Sequence, residues 1–303
     1  MTKILFVIVF LAMVVGALFS WFYQPLMGVV SVSDLDEKLK VGFIYLGPPG
    51  DHGWTYQHDQ GRLALERDLG DQVETVYVEG VPEEGPAAEE ALERLVNDGA
   101  TLIFTTSFGY MESTLKVAKR YPHVKFEHAT GYKRSENVST YSSRFYEGRY
   151  VSGQIAGHLS KTGQAGYVAS FPIPEVMRGI NAFLLGAQSV NPEFRMKVIW
   201  VNSWFDPDKE ANAAKKLIDQ GADILTQHTD STAVVQIAEE NKVLAFGQAS
   251  DMTPFAPDYL LTSIINNWGD YYTARTKAVL EGSWFSTDTF GGMDVNMVVM
   301  GAF

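Results

Sequence analysis

One stretch of this chain occurs twice. Residues 91–107, ALERLVNDGATLIFTTS, align with 213–229, AAKKLIDQGADILTQHT, at an offset of 122, apolar on apolar and Gly-Ala on Gly-Ala. The match extends well beyond one helix. TVYVEG at 75–80 pairs with VIWVNS at 198–203, VGFIYLG at 41–47 with AGYVASF at 165–171, and VKFEHAT at 124–130 with KVLAFGQ at 242–248. Such self-similarity predicts two related α/β lobes. Two lobes leave a cleft between them, so the first functional expectation is a ligand held there.

At 303 residues, 46% hydrophobic and 20% charged, the chain has material for two ordinary cores. Its formal net charge of −12 excludes a nucleic-acid surface, because binding phosphate needs a basic footprint. The absence of cysteine removes disulfides, thiolate nucleophiles and cysteine-based metal sites together. Compartment must therefore be read from the N-terminus. Residues 4–23, ILFVIVFLAMVVGALFSWFY, form a nearly unbroken apolar run behind Lys3, long enough to span a hydrocarbon core. A secretory signal usually has a shorter core followed by a small-residue cleavage site, and none is evident. Residues 1–30 are read as a membrane anchor or a long cleaved signal, with the folded part outside the cytoplasm. Trp21, Phe22 and Tyr23 would lie at the membrane interface.

From Val41 onward, apolar runs of four to eight residues alternate with amphipathic stretches. The runs resemble parallel strands buried on both faces. One helix is expected over 86–99, opening at Pro86, carrying Ala91, Leu92, Leu95 and Val96 on one stripe and stopping at Gly99; its twin over 207–221 opens behind Asp206 and closes on Gly221. The expected fold class is α/β, a two-lobed periplasmic-binding-protein fold of the ribose-binding type. Each lobe would be a doubly wound parallel sheet flanked by helices. Residues 38–146 plus 268–290 would make lobe 1 and residues 147–267 plus 291–303 lobe 2, with hinges near 144–147 and 266–269.

Doubly wound sheets bind ligands beyond the carboxyl ends of their strands. The segments there are PPGDHGWTYQHD, TSFGYME, SFPIPEV, NSWFDP, TQHTDS and GQASDM, which mix aromatic and polar residues. They put Trp54, Phe108, Tyr110, Phe171, Trp204 and Phe205 where side chains can face the cleft. A flat ligand between two such rings gains roughly 1–3 kcal/mol per stacked base, and neighbouring Asp, Gln and Asn groups can read its edge. Aromatics packed against helix tops would look the same in any single segment.

The runs VGFIYLGPPGDHGWTYQHDQGR, FPIPEVMRGINAFLLGAQSVNP, VNSWFDPDKEANAAKKLIDQGADILTQHTDS and LTSIINNWGDYY resemble the basic membrane protein family of substrate-binding proteins. That family is similar to the purine nucleoside receptors serving ABC importers, and the likeness spans about 40–303. It implies capture of a purine base or nucleoside by hinged lobes and delivery to ABC permease subunits; no cofactor or metal is expected. The family's stacking aromatics fall on Trp54 and Trp204, and its later acidic residue on Asp251. Asp51, Phe108, Tyr110, Glu175, Asn202 and Gln248 are expected nearby. Two positions depart from the family: His128 stands where nucleoside-binding relatives carry aspartate, and Asn266 where they carry lysine. Both departures fall on sugar contacts, so the expected ligand is a free purine, adenine first.

Other chemistry is less well supported. Six histidines, at 52, 58, 123, 128, 158 and 228, show no HExxH or helical i, i+4 pair. Asp51 with His58, or Asp230 with His228, could in principle form a catalytic pair. No nucleophile elbow, Walker loop or dinucleotide fingerprint is present. A lactose-repressor-type regulator shares the two-lobe fold, but its DNA-binding headpiece is replaced here by the apolar segment. The other standing expectation is the purine-sensing ectodomain of a membrane receptor, because an anchored binding domain without a cysteine for lipid attachment suits a sensor as well as an importer component.

Overall fold

The structure, a computed structural model, describes residues 38–303. The expected anchor or signal at 1–30 lies outside the described residues. Among the described residues, no helix is long and apolar enough to cross a membrane.

Two six-stranded sheets repeat one plan. The first contains β1 (Leu39–Ile44), β2 (Val73–Val78), β3 (Leu102–Thr105), β4 (Lys125–Ala129) and β5 (Val138–Ser143). The second contains their counterparts β6 (Gln164–Ala169), β7 (Arg195–Trp200), β8 (Ile224–His228), β9 (Leu244–Ala249) and β10 (Leu260–Asn266). Two late strands complete them, β11 (Asp288–Gly291) in the first sheet and β12 (Val298–Met300) in the second. The orders are β11-β5-β4-β3-β1-β2 and β12-β10-β9-β8-β6-β7. The internal repeat of the sequence is thus a repeat of topology. Every pairing is parallel except β12 on β10.

Burial explains the strand composition. Central β3 and β8 are buried along their whole length, so LIFT and ILTQH show no alternation, whereas edge strands β2 and β7 are only partly covered. Register places Phe43 beside Phe104, and their rings stack at 4.9 Å. Helices α1 (Trp54–Leu69), α2 (Ala87–Asn97) and α3 (Met111–Arg120) cover the first sheet, and α4 (Tyr146–Leu159), α5 (Pro174–Val190), α6 (Pro207–Asp219) and α7 (Ala233–Asn241) the second. The twin helices stop as their glycines predict: Gly99 and Gly221 sit at φ +93° and +94°, where a Cβ would be strained. Asp206 caps α6 by accepting from Lys209 N at 3.1 Å. Helices α4 and α5 press together at glycines. A Cβ on Gly153 would stand 2.0 Å from Phe183 O.

The chain passes between sheets three times. After β5 it enters α4, which packs with the second sheet; after β10 it enters α8 (Gly269–Leu280), which packs on α1; and residues 292–297 join β11 to β12. Ser143 Oγ donates to Asn266 Oδ1 at 2.8 Å, tying the first two crossings. Arg144 spans the first and third, donating from Nε to Glu147 Oε1 at 2.5 Å and from Nη1 to Phe290 O at 2.9 Å, and pairing with Asp294.

Candidate functional site

A cavity lies between the lobes, lined by Leu46, Trp54, Ser107, Phe108 and Thr130 from the first and Glu175, Trp204, His228, Asp230 and Gln248 from the second. It encloses about 350 Å³ of empty space, part of it open to solvent. These residues come from strand ends and helix starts. Trp54 is the first residue of α1, and Glu175 follows Pro174, the first residue of α5. The repeat brings equivalent positions together: Phe108 and Asp230 are 122 residues apart, and Thr130 and Gln248 are matched by the VKFEHAT and KVLAFGQ segments. Non-glycine residues with positive φ surround the cleft at His52, Thr130, Asn202 and Ala249. For the β-branched Thr130, at φ 60°, this is a strained turn.

Both indoles are held by their nitrogens. Trp54 Nε1 donates to Thr106 O at 2.6 Å, and Trp204 Nε1 donates to Glu83 Oε2 at 3.2 Å. With the N–H groups satisfied by protein, what each indole offers the cavity is aromatic surface. Trp54 is propped edge-on by Trp268 at 5.8 Å and His58 at 4.5 Å, and Trp204 by Phe171 at 5.4 Å. Glu83, in the loop after β2, also accepts from Ser107 Oγ at 2.5 Å and Gly109 N at 2.7 Å. It therefore joins Trp204 of the second lobe to the loop of the first that carries Phe108. The lobes meet again where Ser250 Oγ donates to His52 O. Gly53 lies so close that a Cβ there would be 2.0 Å from Asp230 O.

The polar wall comes mainly from the second lobe. Burial pushes the Asp230 carboxyl well above the usual range, and Asp51, Glu210, Glu83 and Glu175 add to the shift. Burial likewise raises Glu175 to about 7, opposed by Arg178. Crowded carboxyls held partly protonated can donate as well as accept. Burial, reinforced by Arg149, keeps His228 neutral. No lysine or arginine lines this inner cavity. On the hinge side it opens through Phe108, Thr130 and Glu175 into a wide groove bordered by Tyr132, Tyr146, Arg178 and Phe290.

The structure brings Trp54, Phe108, Glu175, Trp204 and Gln248 together around the cavity. Asp51 and Asn202 stand at an adjoining outer part of the cleft. The Asp51 carboxyl is occupied there, accepting from Gly53 N, Thr55 N and Tyr56 N at 2.8–3.0 Å and so capping α1. The other four expected residues line neither part of the cleft. Asp251 is exposed and accepts from Thr253 N and Oγ1, forming its own turn. Tyr110 is wholly buried in the core, its hydroxyl donating to Val81 O. His128 is fully buried, with Nδ1 2.7 Å from Thr105 Oγ1 and Gly131 packed against its ring; burial lowers it to about 3. Asn266 is spent on the crossing.

Asp230 and His228 enter the wall as lining residues although the sequence offered them only as a possible catalytic pair, while Ser107, in TSFGYME, and Thr130, at the end of VKFEHAT, carry no residue-type signal. Glu83 stands in the loop after β2, the repeat partner of the loop holding Trp204, but in VPEEGP it is one of two adjacent glutamates with no aromatic beside it to mark it. Asp51 and His58 do not form the pairing considered as catalytic. His58 lies under Trp54, stacked on Trp268 and bonded to the Tyr272 hydroxyl, while the Asp51 oxygens already hold backbone N–H groups. Among the described residues, no cluster of three His, Cys, Asp or Glu side chains could hold a metal.

Two lobes of repeated topology, closed over an aromatic and carboxyl-lined cavity, define a bilobal solute-binding protein. The family model described as ABC transporter substrate-binding protein, PnrA-like, matches residues 38–301. The chain belongs to this Bmp family. It is 63% identical over 268 residues, covering 88% of this chain and 76% of the relative, to a purine-binding protein of Brucella abortus (strain 2308). It is 40% identical over 264 residues, covering 87% and 67%, to a candidate ABC transporter glucose-binding protein of Haloferax volcanii. A solved ABC transporter solute-binding protein from Aeropyrum pernix K1 superposes with a TM-score of 0.77 at 23% identity, covering 87% and 76%, and shares the fold. Membership makes this an ABC transporter substrate-binding protein by family, and implies an extracytoplasmic location and permease partners.

Proposed function

We propose that the chain captures a purine base in the interlobe cavity, adenine in preference to its nucleoside, and presents it in the closed form to the permease subunits of an importer. The 1–30 segment would tether it at the membrane or direct its export. The lobes divide near 146/147, 267/268 and 290/291. The carrying observation is the pair of nitrogen-anchored indoles, Trp54 from one lobe and Trp204 from the other, lining one cavity with the carboxyls of Asp230 and Glu175. A flat heterocycle fits the aromatic surface, and its N–H groups find acceptors at the edge. The name of the Brucella relative supports the same ligand class.

The preference for a base rests on space and on charge. The inner cavity is the narrow part of the cleft, with about 350 Å³ of empty space, part of it open to solvent, against about 1500 Å³ in the adjoining groove. A sugar would have to leave the inner cavity for the wide groove. His128 and Asn266 are buried and engaged elsewhere, so neither position supplies a charged grip on sugar hydroxyls.

Two measurements test the reading. Mass spectrometry of material released from purified protein should show a purine base. Calorimetric titration should give adenine at least about tenfold tighter binding than adenosine, roughly 1.4 kcal/mol. Glucose, named for the Haloferax relative, is the contrast ligand and should give no heat. Adenosine binding as tightly as adenine would refute the base preference, and glucose binding in place of purine would refute the ligand class.

A further inference from the structure

Beneath the cavity lies a buried cation with no carboxylate among its hydrogen-bond partners. Arg149, in the first half of α4, is completely buried. Its Nη1 donates to Thr226 Oγ1 at 2.9 Å, and Nη2 donates to Gln227 O at 2.5 Å and to Gln248 Oε1. The guanidinium is sandwiched between the rings of Phe145 and Tyr167, at 5.0 and 5.4 Å. A buried arginine without a counter-carboxylate is costly, and its position needs a reason.

Gln248 provides one, because it lines the cavity from above. A glutamine amide offers two donors on nitrogen and an acceptor on oxygen, and either end can turn toward a ligand. A guanidinium has donors only. The amide atom facing Arg149 must therefore be oxygen. Reversing the amide would set N–H against N–H and leave a buried charged donor unpaired. Gln248 Nε2 is hydrogen-bonded to none of the described residues, and it is not among their sequestered unpaired atoms.

We propose that Arg149 is a positioning residue for ligand readout: by holding Gln248 Oε1 from below, it commits the Gln248 NH2 to the cleft, so the site demands an acceptor atom from its ligand at that point. Asp230 and Glu175 supply acceptors nearby, and the pattern suits a heterocycle with an unprotonated ring nitrogen beside an N–H donor. This refinement rests on the purine reading.

Calorimetry with adenine and its 1-deaza, 3-deaza and 7-deaza analogues, each lacking one ring acceptor, tests it. On the native protein one analogue should lose at least about tenfold in affinity. Gln248→Leu should lower adenine to that analogue's level. Arg149→Met frees the amide to turn and should shrink the discrimination to less than about threefold, whereas Arg149→Lys, which keeps a donor below Oε1, should retain most of it. A folded Arg149→Met protein with the native ratio, or Gln248→Leu binding adenine as the native protein does, would overturn the proposal. The geometry can also be read without ligand, from side-chain 15N–1H spectra with the Gln248 NH2 pair identified by its loss in Gln248→Leu. That pair should shift in Arg149→Met and stay near its native position in Arg149→Lys; an unmoved pair in Arg149→Met refutes the orientation. If the native protein binds no purine, the purine reading fails, and the spectra still decide the role of Arg149.

Discussion

The hydrogen bond from Trp204 Nε1 to Glu83 Oε2 spans the lobes, so it should be part of what holds them closed over a ligand. A bond to a charged group contributes about 1.5–3 kcal/mol when well buried. At 3.2 Å, with both partners only partly covered, we expect roughly 1–2 kcal/mol. Trp204→Phe keeps an aromatic face and loses the donor, and should weaken adenine by about 5–30-fold. Trp204→Ala also removes the stacking surface, and should lose roughly a further 1–3 kcal/mol. Glu83→Ala breaks the same bridge but also frees Ser107 Oγ and Gly109 N within the first lobe, so part of its effect should appear as a lower melting temperature of the free protein. A double-mutant cycle over Trp204→Phe and Glu83→Ala separates these contributions. Titrating adenine into all four proteins should give a coupling of about 1 kcal/mol or more. Additivity within about 0.3 kcal/mol would show that the bridge contributes nothing to the bound state, and the closure argument would fail.

Gly53→Ala should obstruct closure, since its Cβ would stand 2.0 Å from Asp230 O across the lobes. Adenine affinity should fall by about tenfold or more, while small-angle scattering shows a wider molecule and the free protein melts near its native temperature; unchanged affinity would mean the loops part easily. Glu175 titrates near 7 when folded against 4.5 ordinarily, so the native state keeps a proton that the unfolded chain has released. Its contribution to stability is therefore complete below about pH 4.5 and lost as pH rises through about 7. The full shift corresponds to about 3 kcal/mol, which half-burial reduces to roughly 1–2. Glu175→Gln should flatten the decline in melting temperature between about pH 5 and 8, and an unaltered slope would assign that decline to the other carboxyls raised by burial, Asp230, Asp51, Glu127 and Glu210. Asp251→Ala should leave adenine affinity within about twofold of native, because Asp251 only closes its own exposed turn; a larger loss on titration would return it to the site.

The topology was legible because the repeat is a repeat of buried strands and their capped helices. VGFIYLG and AGYVASF became the second strand from the edge of each sheet, and the glycines at 99 and 221 ended twin helices in the same left-handed conformation. Strand ends pointed to the cleft for the same reason, and Trp54, Phe108, Glu175, Trp204 and Gln248 were found through them. Which residue of each strand end reaches the cavity was not legible. After β4 the strained turn at Thr130 leaves His128 fully buried and puts Thr130 in the wall. After β9 the same turn falls at Ala249, leaving Gln248 in the wall and Asp251 in solvent. A shift of two residues along such a turn exchanges core for cavity, and residue type gives no warning of it.

The repeated scaffold is filled asymmetrically. Equivalent positions carry Phe108 in one lobe and Asp230 in the other, and Thr130 in one and Gln248 in the other. The first lobe contributes aromatic rings and hydroxyls, while the second contributes two raised carboxyls, a neutral imidazole and an oriented amide beside its single indole. Stacking is tolerant of identity because any flat ring has a π face. Edge groups are not, because a mismatched donor or acceptor is left buried and unpaired. On the proposed function the second lobe would therefore select the ligand, and the first, bonded through Glu83 to Trp204 and packed at Gly53 against Asp230, would enclose it.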